Sequence, residues 1–570
     1  MKRAMMLVLA ILLLTAAVFA GGGRQGASAS GAGSQQALGK IVNGIFRYDN
    51  TVDVTAALNY YPAYMVGDPT DMWFFHWVRD KMNINFKVTP IAFEAHAMQS
   101  NLIFASGNVP DCLLTWIDLQ PRSKQAILGD VEGQLYAWNH FINPDVMPNL
   151  WKAYTEEFPN LVDILGSGKG NLYGFPRMTL VDWGLSGTRP NWYRKDWFEA
   201  VGYTKPPSTV DELYDVLTKI KQQDPGKVGR NLVPYGAVIE YQGGANYFQP
   251  IWNAFGFSAG WYNELVAPHT KTGMPVFCPM EDAYFGYLQF MNKLHREGLV
   301  LPEIFTIDDQ TFDAMKNNGY FALSSGSSGA AVIPAPDIAG DGWKNWGIMP
   351  ALTSQYSSVA ISPGDYPVSM SYLMLITKAA TDLRAEALAR VMDIGYNRDI
   401  NYLFYYGPQK GVDPGYGKVE GWSSESGNIN VDIILNDVGE GKQFANSNQY
   451  YYSVAPFGRN GATFDRRTDG SEESSWDLNT WLGYQREQIA SYNRRYYTPN
   501  PQYRPIPTEL EDRLGDLRIG LNDYVKSETA KFVVGTRPLT QAEFDRFKAD
   551  LVRMGANEYL KPYLDAYVKP

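Results

Sequence analysis

The chain has 570 residues, more than one hydrophobic core usually supports, so two or more domains are expected. With 45% apolar and 19% charged residues it reads as a folded soluble protein. Its net charge of −10, which becomes −12 if Lys2 and Arg3 leave with a leader, argues against nucleic acid or anionic membrane surfaces as partners, because both demand basic patches.

Lys2 and Arg3 form a charged region, Met5 to Leu14 an apolar core, and Val18-Phe19-Ala20 a small-residue cleavage site. Together they read as a secretory signal peptide cleaved near Ala20. The apolar run is short for a membrane span and passes into a Gly/Ser/Ala/Gln tract, residues 21–39, that reads as a flexible linker. Gly21, Gly23 and Gly26 fit the dinucleotide-binding spacing, but no mature strand precedes them and no helix follows. The two cysteines, Cys112 and Cys278, read as buried free thiols; Cys112 lies in an apolar run, where a thiol acts as a small hydrophobe.

The fold is expected to begin at Ile45. Phe74 to Met82 reads as a helix with Trp77 and Val78 on its inner face. Met98 to Phe104 ends another, and Ala105-Ser106-Gly107-Asn108-Val109-Pro110-Asp111 leads into a short buried strand from Cys112 to Thr115. That strand delivers Trp116 and Asp118 at its carboxyl end, where ligands of open α/β sheets bind. Trp116 reads equally well as a core tryptophan. Residues 133–165, with Trp138, His140 and Trp151, read as a helical, proline-punctuated surface stretch.

Asn171 to Arg177 is an extended run, followed by a glycine-bearing segment that holds Asp182 and Trp183. Trp192-Tyr193-Arg194-Lys195-Asp196-Trp197-Phe198 then passes from strand to helix. Thr209 caps the next helix, Glu212 completes a capping box, and Val210, Leu213, Tyr214, Leu217 and Ile220 keep helical spacing. The loop Asp224 to Asn231 enters a strand over Leu232 to Gly236. An aromatic, glycine-rich stretch with Trp252 follows, then an amphipathic helix over Tyr284, Tyr287, Leu288, Met291 and Leu294, ended by Gly298.

Asn318 to Leu323 reads as a strand, Ser324 to Ser328 as the loop at its end, and Trp346 to Pro350 as another strand. Pro363 to Ile376 runs back to the first domain, and Leu383, Ala387, Leu388 and Val391 mark the helix after it. Residues 417–475 show no clear periodicity. In the tail, Thr540 and Glu543 open a capped helix whose stripe is Phe544, Phe547, Leu551 and Met554, ended by Gly555.

Four of these motifs, in this order, resemble family 1 extracellular solute-binding proteins of ABC transporters. They are Ala105 to Asp111; Tyr173-Gly174-Phe175-Pro176; Arg194-Lys195-Asp196-Trp197 with Pro207-Ser208-Thr209-Val210-Asp211-Glu212-Leu213; and Gly298-Leu299-Val300-Leu301-Pro302. The C-terminal helices resemble those of the family's long, carbohydrate-type subgroup. The resemblance implies an α/β, two-lobe periplasmic-binding-protein fold of type II, each lobe a mixed sheet flanked by helices, hinged by crossing strands. One lobe would hold residues 40–178 and 362–416, the other 179–361 and 417–570 with the C-terminal helices. It further implies a monomer outside the cytoplasm that closes on a ligand and delivers it to membrane permease subunits, with no cofactor.

Several relatives have an Asp/Asn-rich loop at the place of 224–231 that could hold calcium. Here Lys227, Val228, Gly229 and Arg230 stand where oxygen ligands would be needed, so no metal is expected. Many relatives have a lipidated cysteine after the leader, where this chain has Gly21. Family members put ligand groups in the loop at Ser324 to Ser328, although a plain turn explains it too.

The competing class is a secreted polysaccharide-degrading enzyme. The five histidines include no His-x-x-x-His pair, and Gly326-Ser327-Ser328-Gly329 lacks the spacing of a nucleophile elbow. No carboxylate pair stands out among 60 acidic residues, so catalysis is not expected. The 15 Trp and 37 Tyr offer flat apolar faces with polar edges, which suits a sugar ring. An oligosaccharide is therefore the expected ligand, with a peptide as the alternative. The expected contacts are Trp116, Asp118, Arg177, Asp182, Trp183, Trp252, Ser325 and Ser327.

Overall fold

A computed structural model of the chain describes residues 38–60, 68–92, 95–114, 122–179, 188–239, 248–258, 265–364, 368–397, 459–460, 478–479, 481–499 and 502–568. Residues 1–20, read above as a signal peptide, and most of residues 21–39 and 417–475 lie outside them.

The described chain opens with a hairpin, β1 (Gly39–Val42) and β2 (Ile45–Tyr48), joined by Asn43-Gly44 with both residues at positive φ, as a two-residue turn of that sequence requires. β3 (Val52–Tyr60) alternates at first, with Val52 and Val54 inward and Asp53 and Thr55 outward, and then becomes fully buried. It is flanked in parallel by β4 (Ile84–Ala92) and β5 (Cys112–Leu114). The helix Trp73–Met82 connects β3 to β4 and buries Trp73, Phe74, Trp77 and Val78. Asn83 ends it in the left-handed conformation, and Gly107 does the same for the helix His96–Ser106 before β5.

β6 (Gly174–Thr179) is the last strand of this run. The segment before it departs from expectation. Trp138 is not at the surface: it is fully buried, stacked on Phe175 with ring centroids 4.1 Å apart. Its indole N–H donates to the Tyr173 carbonyl at 3.1 Å. A flat apolar ring that finds both a stacking partner and an acceptor is worth more inside than out.

A second sheet follows, built from β7 (Asn191–Arg194), β8 (Val233–Tyr235), β11 (Phe321–Ser325) and β12 (Trp346–Ile348); a separate hairpin, β9 (Val266–Pro268) with β10 (Pro275–Phe277), lies between. Its order is β12-β7-β11-β8, with β7 antiparallel to both neighbours and β11 parallel to β8. The helices Lys195–Ala200 and Val210–Gln223 follow β7. The expected capping box is present, Glu212 N–H donating to Thr209 Oγ1 at 3.1 Å and Thr209 N–H to Glu212 Oε2 at 3.3 Å.

The chain then returns through β13 (Ser362–Gly364) to β14 (Val368–Ile376), which inserts antiparallel between β5 and β6. The first sheet is completed by β15 (Arg459–Asn460) on the outer side of β6, giving the order β15-β6-β14-β5-β3-β4. This places residues 459–460 with the first sheet, although 417–570 was expected in the other lobe. β16 (Tyr497–Pro499) pairs with β13, and β17 (Gln502–Tyr503) with β18 (Tyr567–Val568).

Two large cores correspond to the two sheets. The first gathers residues from Tyr48 to Phe175 and from Met374 to Tyr396. The second gathers Tyr193 to Leu352 together with Ile506 to Ala566, so the helices Thr508–Val534, Gln541–Arg553 and Ala556–Ala566 belong to it. The first two dock on the helix Asp282–Arg296, where Phe544 stacks on Phe285 with centroids 4.9 Å apart, and the third packs on β10, Tyr559 meeting Phe277 edge-on. Cys112 and Cys278 are both buried and free, one in each core.

Candidate functional site

Strand direction brings particular ends together. Because β14 is antiparallel to both β5 and β6, the carboxyl ends of β3, β4, β5 and β6 share one edge with the amino end of β14. In the second sheet the carboxyl ends of β8, β11 and β12 share an edge with the amino end of β7. The chain steps from β6 to β7, and from β12 through β13 to β14, so both crossings join these two edges. This is where open α/β sheets bind their ligands.

The second sheet's share of that edge holds a buried polar cluster. Ser325, the last residue of β11, faces Asn191, the first of β7, in the sheet register. Tyr235, the last of β8, reaches across β11 and donates its hydroxyl to Asn191 Oδ1 at 2.8 Å. The Ser325 and Tyr235 hydroxyls are also hydrogen-bonded to each other. Asn191 is only 2% exposed, and its Nδ2 meets no acceptor. Leaving such a donor unsatisfied costs about 1–3 kcal/mol, which a bound oxygen would relieve.

Just upstream, Thr188 donates to Asn493 Oδ1 at 2.7 Å, and Arg189 is buried beside it. Tyr492 hydrogen-bonds Ser362 at the start of β13, so the helix Trp481–Tyr496 closes the cluster from behind. Burial pushes the Tyr235 and Tyr492 hydroxyls well above the usual phenol range, so both stay neutral donors. The cluster thus offers neutral hydroxyls, amides and one guanidinium. Among the described residues no group of three or more His, Cys, Asp or Glu could hold a metal ion.

The expected contacts fare unevenly. Trp116, Asp118, Asp182 and Trp183 lie outside the described residues, β5 ending at Leu114. Arg177 is in β6, opposite Ser369 of β14. Ser325 sits at the edge, but as the buried end of a strand rather than in a loop; its hydroxyl is used by Tyr235, and the loop starts at Gly326. Ser327 is half-buried in that loop.

Trp252 is not an open stacking floor. It is 6% exposed, and Phe257, Tyr284 and Tyr287 surround its ring with centroids 4.9, 5.5 and 5.2 Å away. At the loop 224–231, the Asp224 carboxylate accepts from the N–H groups of Val228 and Gly229, at 2.9 and 2.7 Å. Sequence reasoning missed Thr188, Arg189, Asn191 and Tyr235. The available signal was Thr188-Arg189-Pro190-Asn191, a polar run leading straight into the apolar strand at Trp192.

The profile of the family described as bacterial extracellular solute-binding protein matches residues 80–372, just over half of the chain. "Lipoprotein LipO" of Bacillus subtilis (strain 168) is 24% identical over 262 residues, 45% of this chain; the chain spans about half (48%) of that relative's length. Among solved structures, the S. pneumoniae ABC-transporter substrate-binding protein FusA in complex with kestose is similar, with a TM-score of 0.66 at 19% identity, over 90% of this chain and 98% of that one. An HMO-binding, ABC-transporter-associated solute-binding protein from Bifidobacterium longum infantis gives a TM-score of 0.66 at 16% identity, with the same coverage of both chains. These likenesses show the fold: two α/β lobes, each with its own sheet and core.

Proposed function

We propose, from the premise that this chain belongs to the bacterial extracellular solute-binding protein family, that it is the extracytoplasmic binding subunit of an ABC importer and captures an oligosaccharide between its two lobes. The observation that carries this reading is the buried cluster of Asn191, Tyr235 and Ser325 at the edge joined by both crossings, with Asn191 Nδ2 still lacking an acceptor. Neutral hydroxyls and amides match a ring of sugar hydroxyls better than they match an ion, which needs an opposite charge. Kestose bound to one structural relative and HMO binding by another support the same class.

Ligand bridging the lobes would shift an open–closed equilibrium by its greater affinity for the closed form. The lobe that starts at residue 40 takes 362–416 back through β14, and the other takes 179–361 with the C-terminal helices. Arg177 and Ser327, and beyond the described residues Trp116, Asp118, Asp182 and Trp183, are further candidate contacts. The subunit works without catalysis or cofactor, as a monomer released after cleavage near Ala20, and passes its cargo to membrane permeases.

Thermal denaturation against a panel of neutral oligosaccharides tests the reading, because a ligand that binds only the folded state raises Tm. At least one glycan is expected to raise it. A peptide pool that shifts Tm where no glycan does would overturn the sugar assignment, and turnover of a glycan by the purified protein would overturn the binding-only role.

A further inference from the structure

The helix Trp481–Tyr496 is built into the second lobe yet reaches both segments that cross between the lobes. Trp481 and Ile489 pack with Trp192, Val332, Ile333 and Trp346 in one apolar cluster. Between them, the Tyr484 hydroxyl donates to the Trp346 carbonyl at 2.6 Å, and Gln485 Oε1 accepts from Gly329 N–H at 3.2 Å. Near the helix end two consecutive residues diverge. Asn493 Oδ1 accepts from the Thr188 hydroxyl at 2.7 Å, on the first crossing, just before β7. Tyr492 is hydrogen-bonded to Ser362 on the second crossing, the first residue of β13. All four residues are at most 6% exposed. The chain then leaves the helix as β16, which runs parallel to β13 with Tyr497 opposite Ser362 and Pro499 opposite Gly364.

Buried side-chain hydrogen bonds fix direction as well as distance, and breaking one without a replacement partner is costly, so a segment held this way moves with the body that holds it. We propose that Tyr492 and Asn493 are positioning residues that clamp both crossings to the second lobe. Thr188 and the strand Ser362–Gly364 then travel with that lobe, and bending between the lobes is confined to the first-lobe side of these residues. The clamp presupposes the lobe closing described above and sets the range of that motion. A hinge with few soft points leaves the ligand-free form less freedom to lose when a ligand closes it. It also keeps the Asn191–Tyr235–Ser325 cluster on one rigid body with the crossings, since Asn191 follows Thr188 by three positions.

Distances between spin labels, measured in the ligand-free protein by pulsed electron resonance, test the clamp. Lys152→Cys on the helix Pro148–Glu156 and Gln222→Cys on the helix Val210–Gln223 place one exposed label on each lobe, while both native cysteines are buried. Thr188→Val keeps the shape of the side chain and loses the donor, whereas Thr188→Ser keeps the donor. The serine variant should reproduce the wild-type distance distribution, and the valine variant should broaden it. Asn493→Leu, which removes the same bond from the other side, should broaden it too, and adding Thr188→Val to it should change nothing further. A wild-type distribution in Thr188→Val, whatever its Tm, would overturn the clamp, as would equal broadening in Thr188→Ser. The lobe-closing reading fails by a different sign: a glycan that raises Tm yet leaves the wild-type distance unmoved.

Discussion

Tyr235 and Asn191 are not neighbours in their sheet. The Tyr235 hydroxyl spans the intervening strand β11 to reach Asn191 Oδ1 at 2.8 Å, with Ser325 of that strand bonded to the same hydroxyl. Three strand ends are thereby tied by side chains at the edge where both crossings meet. The tie orients the Asn191 amide, fixing which way its unmet Nδ2 points.

Tyr235→Phe keeps the ring and removes that donor. Oligosaccharide affinity, measured by calorimetry, is expected to fall at least tenfold, because the amide is no longer held. Folding stability should drop by only about 1–2 kcal/mol, the usual effect of losing one buried hydrogen bond. A Tm that collapses along with affinity would mean that the residue acts as core alone.

The two buried tryptophans differ in a way mutation can read. Trp138 donates its indole N–H to Tyr173, whereas the Trp252 Nε1 meets no acceptor. Both Trp→Phe changes lose ring volume, but only Trp138→Phe strands a buried carbonyl. We expect Trp138→Phe to cost about 1–3 kcal/mol more than Trp252→Phe in denaturant titrations. Equal losses would refute the contrast.

Asp393 ties the helix Asp382–Ile394 to the start of the helix Pro148–Glu156. Its carboxylate accepts from Leu150 N–H at 2.9 Å and from the Asn149 side chain at 2.7 Å. Burial pushes its pKa from 3.8 up to about 6, against the opposing pull of these donors and of Arg390. A carboxyl whose folded pKa is raised contributes stability that is fully present below about pH 4 and lost as pH rises through about 6. Asp393→Asn should flatten that part of the stability–pH profile between pH 4 and 7, as followed by chemical denaturation. An unchanged slope would show the group does not titrate there.

Gly329 lets the helix Trp481–Tyr496 approach the second sheet. A Cβ there would sit 2.4 Å from the Trp481 ring and 3.2 Å from that of Trp192. Gly329→Ala should therefore cost about 1–3 kcal/mol, the usual effect of overpacking. It should also weaken ligand binding, since the same helix supplies Tyr492 and Asn493 to the cluster. Wild-type stability in this variant would mean the helix simply slides.

What the sequence determined by itself was local. The capping box at Thr209 and Glu212, the apolar stripes of the helices after it, and the glycines at 298 and 555 just past their helices depend on residues close in sequence, which the chain reads out directly. The order of such elements, together with the four motifs, was enough to indicate a two-lobed α/β fold. Tertiary structure alone decided the rest. Tyr235 and Asn191 lie 44 positions apart, and Thr188 and Asn493 lie 305 apart, so only the folded sheets reveal them as partners. Burial likewise could not be read from residue type. Trp138 and Trp252 are both core, yet one has an acceptor and the other lines a cavity, because an indole suits surface, core and ligand floor alike. Which of these it becomes is set by what the rest of the chain packs against it.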